Sequence, residues 1–305
     1  MGGINRYAQV AKHCLLVLWG VFFLSVFTLV VCHNLGYTGT LKSAAGVISL
    51  ALGIPLLGTI QYFVDAVEKV SGRYGVTVSD DVRQRIAPVL KYLNADVQIG
   101  SYSSDEANAF AISSVFGTKS LIAFSSSLLS AADDSRLMAI AAHEIAHLKN
   151  GDSRNKTFIL AFSQAVQTYP YLLSEISKEL LKKTAIMLAI FFGIFLLIAF
   201  LGPGNAFKGL RPADGRVLLV FIWPVGVIAG YFVLNHLLNR AFYAYSRERE
   251  FAADADGAMM TSHQDMISAI SLLAENDEGV ISVFDTHPSF AERRKRLNDA
   301  QANYV

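Results

Sequence analysis

The pattern H-E-I-A-H at residues 143–147 constrains this chain more than any other stretch, because its chemistry requires a helix. Residues four apart in a helix lie one turn above each other on the same face. A helix here presents the imidazoles of His143 and His147 to one metal ion, with the intervening glutamate beside them. The flanks favour that helix, since residues 133–135 are N-cap types and Asn150-Gly151 is typical of a helix end.

The third ligand of such a site has a candidate in residues 246–254, which read S-R-E-R-E-F-A-A-D. A hydrolytic zinc site takes three protein ligands and leaves one position open for water. We expect Glu250 to bind the metal and Asp254, one helical turn later, to accept a hydrogen bond from the second ring nitrogen of a ligand histidine. Two other interpretations stay open: the histidines could match by chance, and residues 246–254 could form a solvated helix face with ordinary i,i+4 pairs.

Four separated motifs follow one another from about residue 95 to the C-terminus. They are Asn108-Ala109-Phe110-Ala111, the H-E-I-A-H pattern with Asn150-Gly151-Asp152 after it, the S-R-x-x-E-F-x-A-D block, and Thr286-His287-Pro288. In these motifs and their order the chain resembles the HtpX-type membrane zinc metalloproteases, HExxH gluzincins related to the CAAX prenyl proteases. The resemblance implies a zincin-like α+β metalloprotease domain with a small sheet, an HExxH helix and one Zn²⁺ per chain.

Composition places part of the chain in a membrane, since 53% of its 305 residues are hydrophobic and only 17% are charged. Residues 14–32 are almost unbroken Leu, Val and Phe, long enough to cross a hydrocarbon core of about 30 Å. A cleaved signal peptide is the competing interpretation, but this run is longer than a usual signal core. With further spans at 44–64, 184–201 and 217–238, the expected fold class is a mainly α membrane protein with four transmembrane helices.

The position of Glu250 restricts how often the chain crosses the membrane. The two histidines and Glu250 must meet at one ion, so an even number of crossings separates them, and the spans at 184–201 and 217–238 supply two. Residues 156–181 are amphipathic and are expected to lie at the membrane interface or to cover the active site, because a crossing there would place Glu250 on the wrong side. The fourth span is expected to continue as one helix through Glu250, since residues 239–254 contain no Pro or Gly.

Lys and Arg residues near the span ends predict the orientation. They are concentrated on the side of both soluble halves, so we expect the active site to face the cytoplasm of a multi-pass protein in a bacterial inner membrane. The expected organisation is an N-terminus at 1–13, transmembrane pairs with short external loops at 14–64 and 184–238, and two parts of a cytoplasmic metalloprotease domain at 65–183 and 239–305.

Three short strands are expected in the first soluble half, at 96–102, 108–114 and 120–125. A metalloprotease needs an edge strand beside the zinc, because substrate backbone can add to it by main-chain hydrogen bonds. The segment Asn108-Ala109-Phe110-Ala111 resembles the family's segment at that place and is the expected substrate-binding element. A buried hairpin is the alternative.

The ligand set implies hydrolysis by zinc-activated water. Zinc held by His143, His147 and Glu250 would lower the pKa of its water towards 7 and polarise the scissile carbonyl. Glu144 is the expected general base, which takes the water proton and passes it to the leaving amine.

Two further residues have roles that stay open. Asp152 is a candidate to orient a ligand histidine, although a helix-stop aspartate explains it equally well. His287 resembles the histidine of the family's H-P-x-x-x-x-R tail and could stabilise the oxyanion or approach the metal, while a turn before the C-terminal helix is the alternative. The basic run at 293–296 is expected to be a solvated helix face that can touch anionic lipid headgroups.

These expectations converge on a zinc-dependent endopeptidase of the membrane, with misfolded or membrane-associated polypeptides as substrates and the bilayer as a partner. The net charge of +1 gives no reason to expect nucleic acid. A catalytically weak zinc-binding scaffold is an alternative, but metal binding alone does not need Glu144. A transporter is disfavoured because the spans lack the acidic residues of an ion path. A CAAX-type processing protease is the remaining alternative, and four expected spans favour the HtpX-type, quality-control interpretation.

Overall fold

The computed structural model describes residues 2–34, 63–93, 97–116, 118–201, 216–275 and 288–302. Within these residues the chain is mainly helical and holds one small sheet, which agrees with the expected mainly α class. In chain order the elements are α1 (Gly2–Asn34), α2 (Ala66–Tyr74), β1 (Thr77–Val78), α3 (Asp80–Arg85), α4 (Ala87–Leu90), β2 (Gln98–Tyr102), β3 (Ala109–Ser113), β4 (Ser120–Ser125), α5 (Ser126–Ala131), α6 (Asp134–Lys149), α7 (Asp152–Leu201), α8 (Arg216–Met260), α9 (His263–Glu275) and α10 (Phe290–Ala302).

The sheet of the described residues has its strands in the order β1-β2-β4-β3. β2 and β4 pair in parallel, while β1 with β2 and β3 with β4 are antiparallel, so the sheet is mixed. The three strands expected from the sequence are confirmed as β2, β3 and β4. β3 lies at one edge, because β4 is its only strand partner in the part of the chain that the structure describes.

The region between residue 66 and the sheet is divided into short elements. α2 ends at Tyr74 and the short strand β1 follows it. Gly75 caps α2 with φ of 61°, a left-handed conformation that glycine adopts without a steric penalty.

The main core lies between the sheet and α6. Successive residues of a strand point to opposite faces, and in β4 Ile122 and Phe124 pack into the cluster that contains α6. Leu121 and Ala123 belong to a smaller cluster with Tyr102 on the other face. Because most of α6 is buried, every polar side chain along it needs a partner inside the protein.

Both ends of α6 are fixed by local chemistry. At its start the side chain of Asp133 accepts a hydrogen bond of 2.8 Å from the backbone nitrogen of Arg136, which is an N-cap. At its end Gly151 has φ of 72°, where a residue with a side chain would be strained, and α7 begins directly afterwards at Asp152. This sharp corner brings the first residues of α7 back towards the last turn of α6.

The long helices extend beyond the apolar runs that predicted them. Residues 156–181 and 184–201 belong to one helix, since α7 continues without a break from Asp152 to Leu201 and contains Pro170. The expected continuous helix through Glu250 is confirmed, because α8 runs from Arg216 to Met260. Three stretches of the described helices are long and apolar enough to cross a membrane: Ala8–Val31, Asp152–Leu197 and Ile222–Met260. The expected span at 44–64 lies almost entirely outside the described residues.

The chain divides into two compact units, and the first of them contains the sheet and α6. The second comprises residues 14–57 and 163–238.

In the second unit α1 and α8 approach each other at glycines, where a small residue lets two helix backbones come close. A side chain at Gly226 would meet the ring of Phe27, and one at Gly230 would meet Leu24.

Candidate metal centre

The structure brings together the three predicted ligands, His143, His147 and Glu250. One potential ligand atom from each lies within 4.8 Å of the other two, and all three residues are buried. The two histidine Nε2 atoms are 3.1 Å apart, and each lies 3.3 Å from one carboxylate oxygen of Glu250. Two nitrogens and one carboxylate therefore converge on one point.

Close packing of α8 on α6 makes this convergence possible. Gly257 lies two turns after Glu250 on α8, and a Cβ added to it would be 3.2 Å from the backbone nitrogen of His143 and 3.3 Å from its Cα. The absence of a side chain at this position lets the two helices approach directly beside the first histidine.

Each histidine also has a carboxylate at its second ring nitrogen. Asp254 Oδ1 lies 2.9 Å from Nδ1 of His143, and Asp152 Oδ2 lies 3.3 Å from Nδ1 of His147. A carboxylate at Nδ1 favours the proton there and leaves the Nε2 lone pair facing the centre. The structure thus gives Asp152 the same relation to His147 that Asp254 has to His143, because the corner at Gly151 turns it inwards.

An arginine contacts each of the two carboxylates, Asp254 and Asp152, and neither contact was predicted from the sequence. Arg293 of α10 forms two hydrogen bonds to Asp254, of 2.8 Å from Nε and 2.5 Å from Nη2. Arg249 Nη1 lies 3.9 Å from Asp152 Oδ1. The expectation of a solvated face at 293–296 is wrong for Arg293, which is only 4% exposed. The arginine of the H-P-x-x-x-x-R tail was the available signal for this contact.

A lysine also reaches the centre. Lys156 Nζ lies 2.9 Å from Oε1 of Glu250, the same oxygen that faces His147. Residues 156–181 were expected to lie at the membrane interface or to cover the active site, but nothing in the sequence around Lys156 indicated this particular contact.

The electrostatics of the centre favour a cation. Burial alone lowers the pKa of His143, but hydrogen bonds to Asp254 and Glu250 outweigh burial and raise the pKa to about 9. The position between the histidines and Glu250 therefore attracts positive charge. Two imidazole nitrogens and one carboxylate are a donor set that Zn²⁺ takes in hydrolytic enzymes, so these residues fit a zinc ion.

Glu144 is buried in α6 next to the first histidine, and it is not part of the three-ligand group. It acts electrostatically on Tyr102, the last residue of β2. Burial raises the pKa of Tyr102, and the neighbouring Tyr74 and Glu144 raise it further. A carboxylate in this position can act on a group held at the metal without being a ligand itself.

The predicted substrate-binding segment lies at the edge of the sheet and packs against α6. Asn108 directly precedes β3, and its backbone exchanges hydrogen bonds of 2.9 Å with Ser125. Ala109 and Ala111 pack towards the main core, while Phe110 joins a ring cluster on the opposite face. Among the residues that the structure describes, the expected edge strand is therefore present. His287 lies outside the described residues.

Comparison with known proteins gives consistent similarities. Residues 79–301 match the family described as Peptidase family M48. A "Protease HtpX homolog" from Bacillus subtilis (strain 168) is 29% identical over 218 residues, which cover 66% of this chain and 62% of that protein. A homologue of the same name from Fusobacterium nucleatum is 27% identical and covers 68% of this chain and 55% of its own length. The chain thus spans less than two thirds of these relatives.

One solved structure is also similar. The crystal structure of S. mikatae Ste24p covers 96% of this chain and 66% of its own chain, with a TM-score of 0.48 and 15% sequence identity.

Proposed function

We propose, since this chain belongs to peptidase family M48, that it is a zinc-dependent endopeptidase of the membrane with its centre at His143, His147 and Glu250. The observation that carries the proposal is the convergence of these three side chains from α6 and α8. The carboxylate at the second nitrogen of each histidine supports it further, because metal-bound histidines commonly have such a partner.

The residues around the centre divide the work of peptide hydrolysis. The chemistry supplied by bound zinc is Lewis acidity, which makes water acidic enough to lose a proton near neutral pH. Glu144 takes that proton as general base and delivers it to the leaving amine. Asp254 and Asp152 hold the two imidazoles in the orientation that points Nε2 at the centre. His287 remains a candidate to stabilise the oxyanion.

Substrate binding is assigned to the segment Asn108-Ala109-Phe110-Ala111. Its strand, β3, lies at the sheet edge and packs against α6, so an extended polypeptide can add beside it through main-chain hydrogen bonds. This mode selects an unfolded or extended chain rather than a particular side chain. Misfolded and membrane-associated proteins are therefore the proposed substrates.

The proposed membrane arrangement keeps four spans, with both parts of the protease domain on the cytoplasmic side of a bacterial inner membrane. At 1.5 Å per residue α7 is about 75 Å long, more than twice a hydrocarbon core of about 30 Å, so only a part of it crosses. The apolar residues 184–201 are that part. The domain limits proposed from the sequence, 65–183 and 239–305, follow from this assignment.

The test is a cleavage assay on the full chain in detergent, with an unfolded protein and a membrane protein as substrates. We expect turnover with zinc, its loss with a chelator, and its return when zinc is added back. Glu144→Gln is expected to lower turnover about 10²- to 10⁴-fold, the usual contribution of a general base. A chain that binds zinc but cleaves neither substrate would instead be a zinc-binding scaffold.

A further inference from the structure

A row of four phenylalanine rings belongs to none of the motifs that form the metal centre. The rings follow one another in the order Phe116, Phe63, Phe158 and Phe162, with neighbouring centroids 5.6, 5.7 and 5.8 Å apart. The ring of Phe116 at the end of the row is 76% exposed, and Val64 beside Phe63 is 48% exposed. Single exposed apolar side chains are ordinary, but a connected group that opens to the outside indicates a contact surface.

The turn between β3 and β4, which carries Phe116, is tied to the residues just before and within α2. The backbone nitrogens of Val115 and Phe116 both donate to the carbonyl oxygen of Phe63, at 2.9 and 3.1 Å. Later in the turn Lys119 forms an ion pair with Glu68 in the first turn of α2. The exposed ring of Phe116 therefore keeps a fixed position relative to Phe63.

The sequence places the segment that holds this turn at the surface of a membrane. Phe63 is the last residue but one of the apolar run 44–64, which contains no charged residue and is the second expected span. The end of a span lies where the hydrocarbon core meets the lipid headgroups. Phe158 and Phe162 begin the stretch 156–181, whose amphipathic pattern is typical of the same interface. Two segments assigned to the membrane surface on separate grounds thus meet in one row of rings.

We propose that the phenylalanine row is a lipid contact, in which Phe116 and Val64 insert into the boundary between headgroups and acyl chains. The occupant is lipid because the row is continuous with the apolar run 44–64, and a bilayer surrounds the end of any span. Apolar side chains at this boundary reach about 5–10 Å into the lipid, which is deep enough to cover one phenylalanine ring.

The lipid contact fixes where the proposed substrate strand begins. β3 ends at Ser113, three residues before Phe116, and the proposed substrate-binding residues 108–111 lie towards its other end. At about 3.3 Å per residue, Ala109 is at most about 23 Å along the chain from the inserted ring. An extended polypeptide beside β3 therefore has one end close to the bilayer surface, where loops and ends of membrane proteins emerge. This consequence rests on the proposed function, whereas the lipid contact itself does not.

The experiment introduces a single tryptophan by Phe116→Trp and measures its fluorescence in the full chain, reconstituted in phosphatidylcholine vesicles. The two native tryptophans are first removed by Trp19→Phe and Trp223→Phe. The vesicles contain lipid brominated either near the headgroup or near the end of the acyl chain. The matched control is Val78→Trp, because Val78 is 72% exposed and lies in β1, at the opposite edge of the described sheet from β3.

For Phe116→Trp we expect emission at a shorter wavelength than that of hydrated indole. Bromine near the headgroup should lower its intensity about twofold or more, bromine near the chain end should lower it less, and aqueous acrylamide should quench it weakly. The control Val78→Trp should emit like hydrated indole, be quenched by acrylamide and respond to neither brominated lipid.

Cleavage measures the consequence for substrates. Phe116→Ser should lower kcat/KM several-fold for a membrane protein in the same vesicles and leave the cleavage of a soluble unfolded protein in detergent unchanged. The control Val78→Ser should leave both reactions unchanged.

Other results would overturn the inference. Quenching of Phe116→Trp by acrylamide but by neither lipid would show that the row faces water, and short-wavelength emission without lipid quenching would show that protein covers it. Equal loss of both cleavage reactions in Phe116→Ser would make Phe116 a polypeptide contact, and no loss of either would refute the consequence for substrates. Failure of the proposed function would look different, because the wild-type chain would then cleave neither substrate while the lipid quenching persisted.

Discussion

The substitution Gly257→Ala tests whether the approach of α8 to α6 sets the geometry of the metal centre. The added Cβ would lie 3.2 Å from the backbone nitrogen of His143 and 3.3 Å from its Cα, and it would also meet the end of the Met266 side chain. Met266 can rotate away because it is flexible. The backbone of the buried helix α6 cannot move in this way, so the added Cβ displaces His143.

The size of the effect follows from these distances. Ordinary contact begins at about 3.4 Å, so the helices must separate by at least 0.1 to 0.2 Å at this point. This displacement takes up most of the range of about 0.2 Å within which metal–ligand distances remain acceptable. We therefore expect a modest loss of zinc affinity, of at most about tenfold. Overpacking costs about 1–3 kcal/mol, while alanine gains about 1 kcal/mol over glycine in a helix, so the free energy of unfolding should fall by about 0–2 kcal/mol.

The assay measures zinc affinity by competition with a chelator and unfolding by thermal melting in detergent. The matched control is Gly72→Ala in α2, where nothing lies within 4 Å of the added Cβ. That variant should keep its zinc affinity and gain about 0.5–1 kcal/mol of stability. If Gly257→Ala also gains stability and binds zinc like the wild type, the close approach is not what positions His143.

Three further outcomes are expected. Glu250→Ala should lose bound zinc, whereas Glu144→Gln should keep zinc near wild-type stoichiometry in metal analysis; loss of zinc from Glu144→Gln would make it a ligand instead of a base. Arg293→Leu removes the arginine from the buried Asp254, which keeps only its contact with His143, and should lower the free energy of unfolding by about 3–5 kcal/mol in denaturant titrations, with partial recovery in Arg293→Leu/Asp254→Asn. If the free energy of unfolding of Arg293→Leu equals that of the wild type, the Arg293–Asp254 pair does not stabilise the fold. Cysteine labelling of exposed residues near Asn94 and Gly257, such as Ala255, should place both positions on one side of the membrane and Asn205 on the other. Labels on opposite sides near Asn94 and Gly257 would rule out a shared metal centre.

The parts of the fold that depend on local pattern could be predicted from the sequence. A helix through H-E-I-A-H needs only its own spacing and its caps, and the strands at β2, β3 and β4 follow from short apolar runs between turns. The juxtaposition of Glu250 and Asp254 with the histidines could be anticipated because a metal demands a third ligand and few other carboxylates lie at helical spacing.

The prediction that failed, a solvated Arg293, depends on a tertiary contact. Arg293 stands in a run of four basic residues, which usually marks a solvated face, and only the distant Asp254 makes its burial possible. The length of α7 could not be read from polarity, which changes near residue 181 while the helix continues. Lys182 and Lys183 are good helix formers, so nothing local stops α7 there.

The contact of Lys156 with Glu250 had no local signal at all. It requires the corner at Gly151 to aim the start of α7, and it requires α8 to deliver the carboxylate from far along the chain. Such contacts between sequence-distant side chains become visible only when the elements are packed together.

The origin of the ligands from two distant helices also sets the order of events during synthesis. The histidines of α6 are translated about 100 residues before Glu250, with α7 and the first part of α8 between them. At about 5–20 residues per second, roughly 5–20 s separate these two points on the ribosome. A nascent chain therefore carries only two of the three side chains throughout that interval. Any fragment that ends before Glu250 lacks the full set and cannot assemble the three-residue centre.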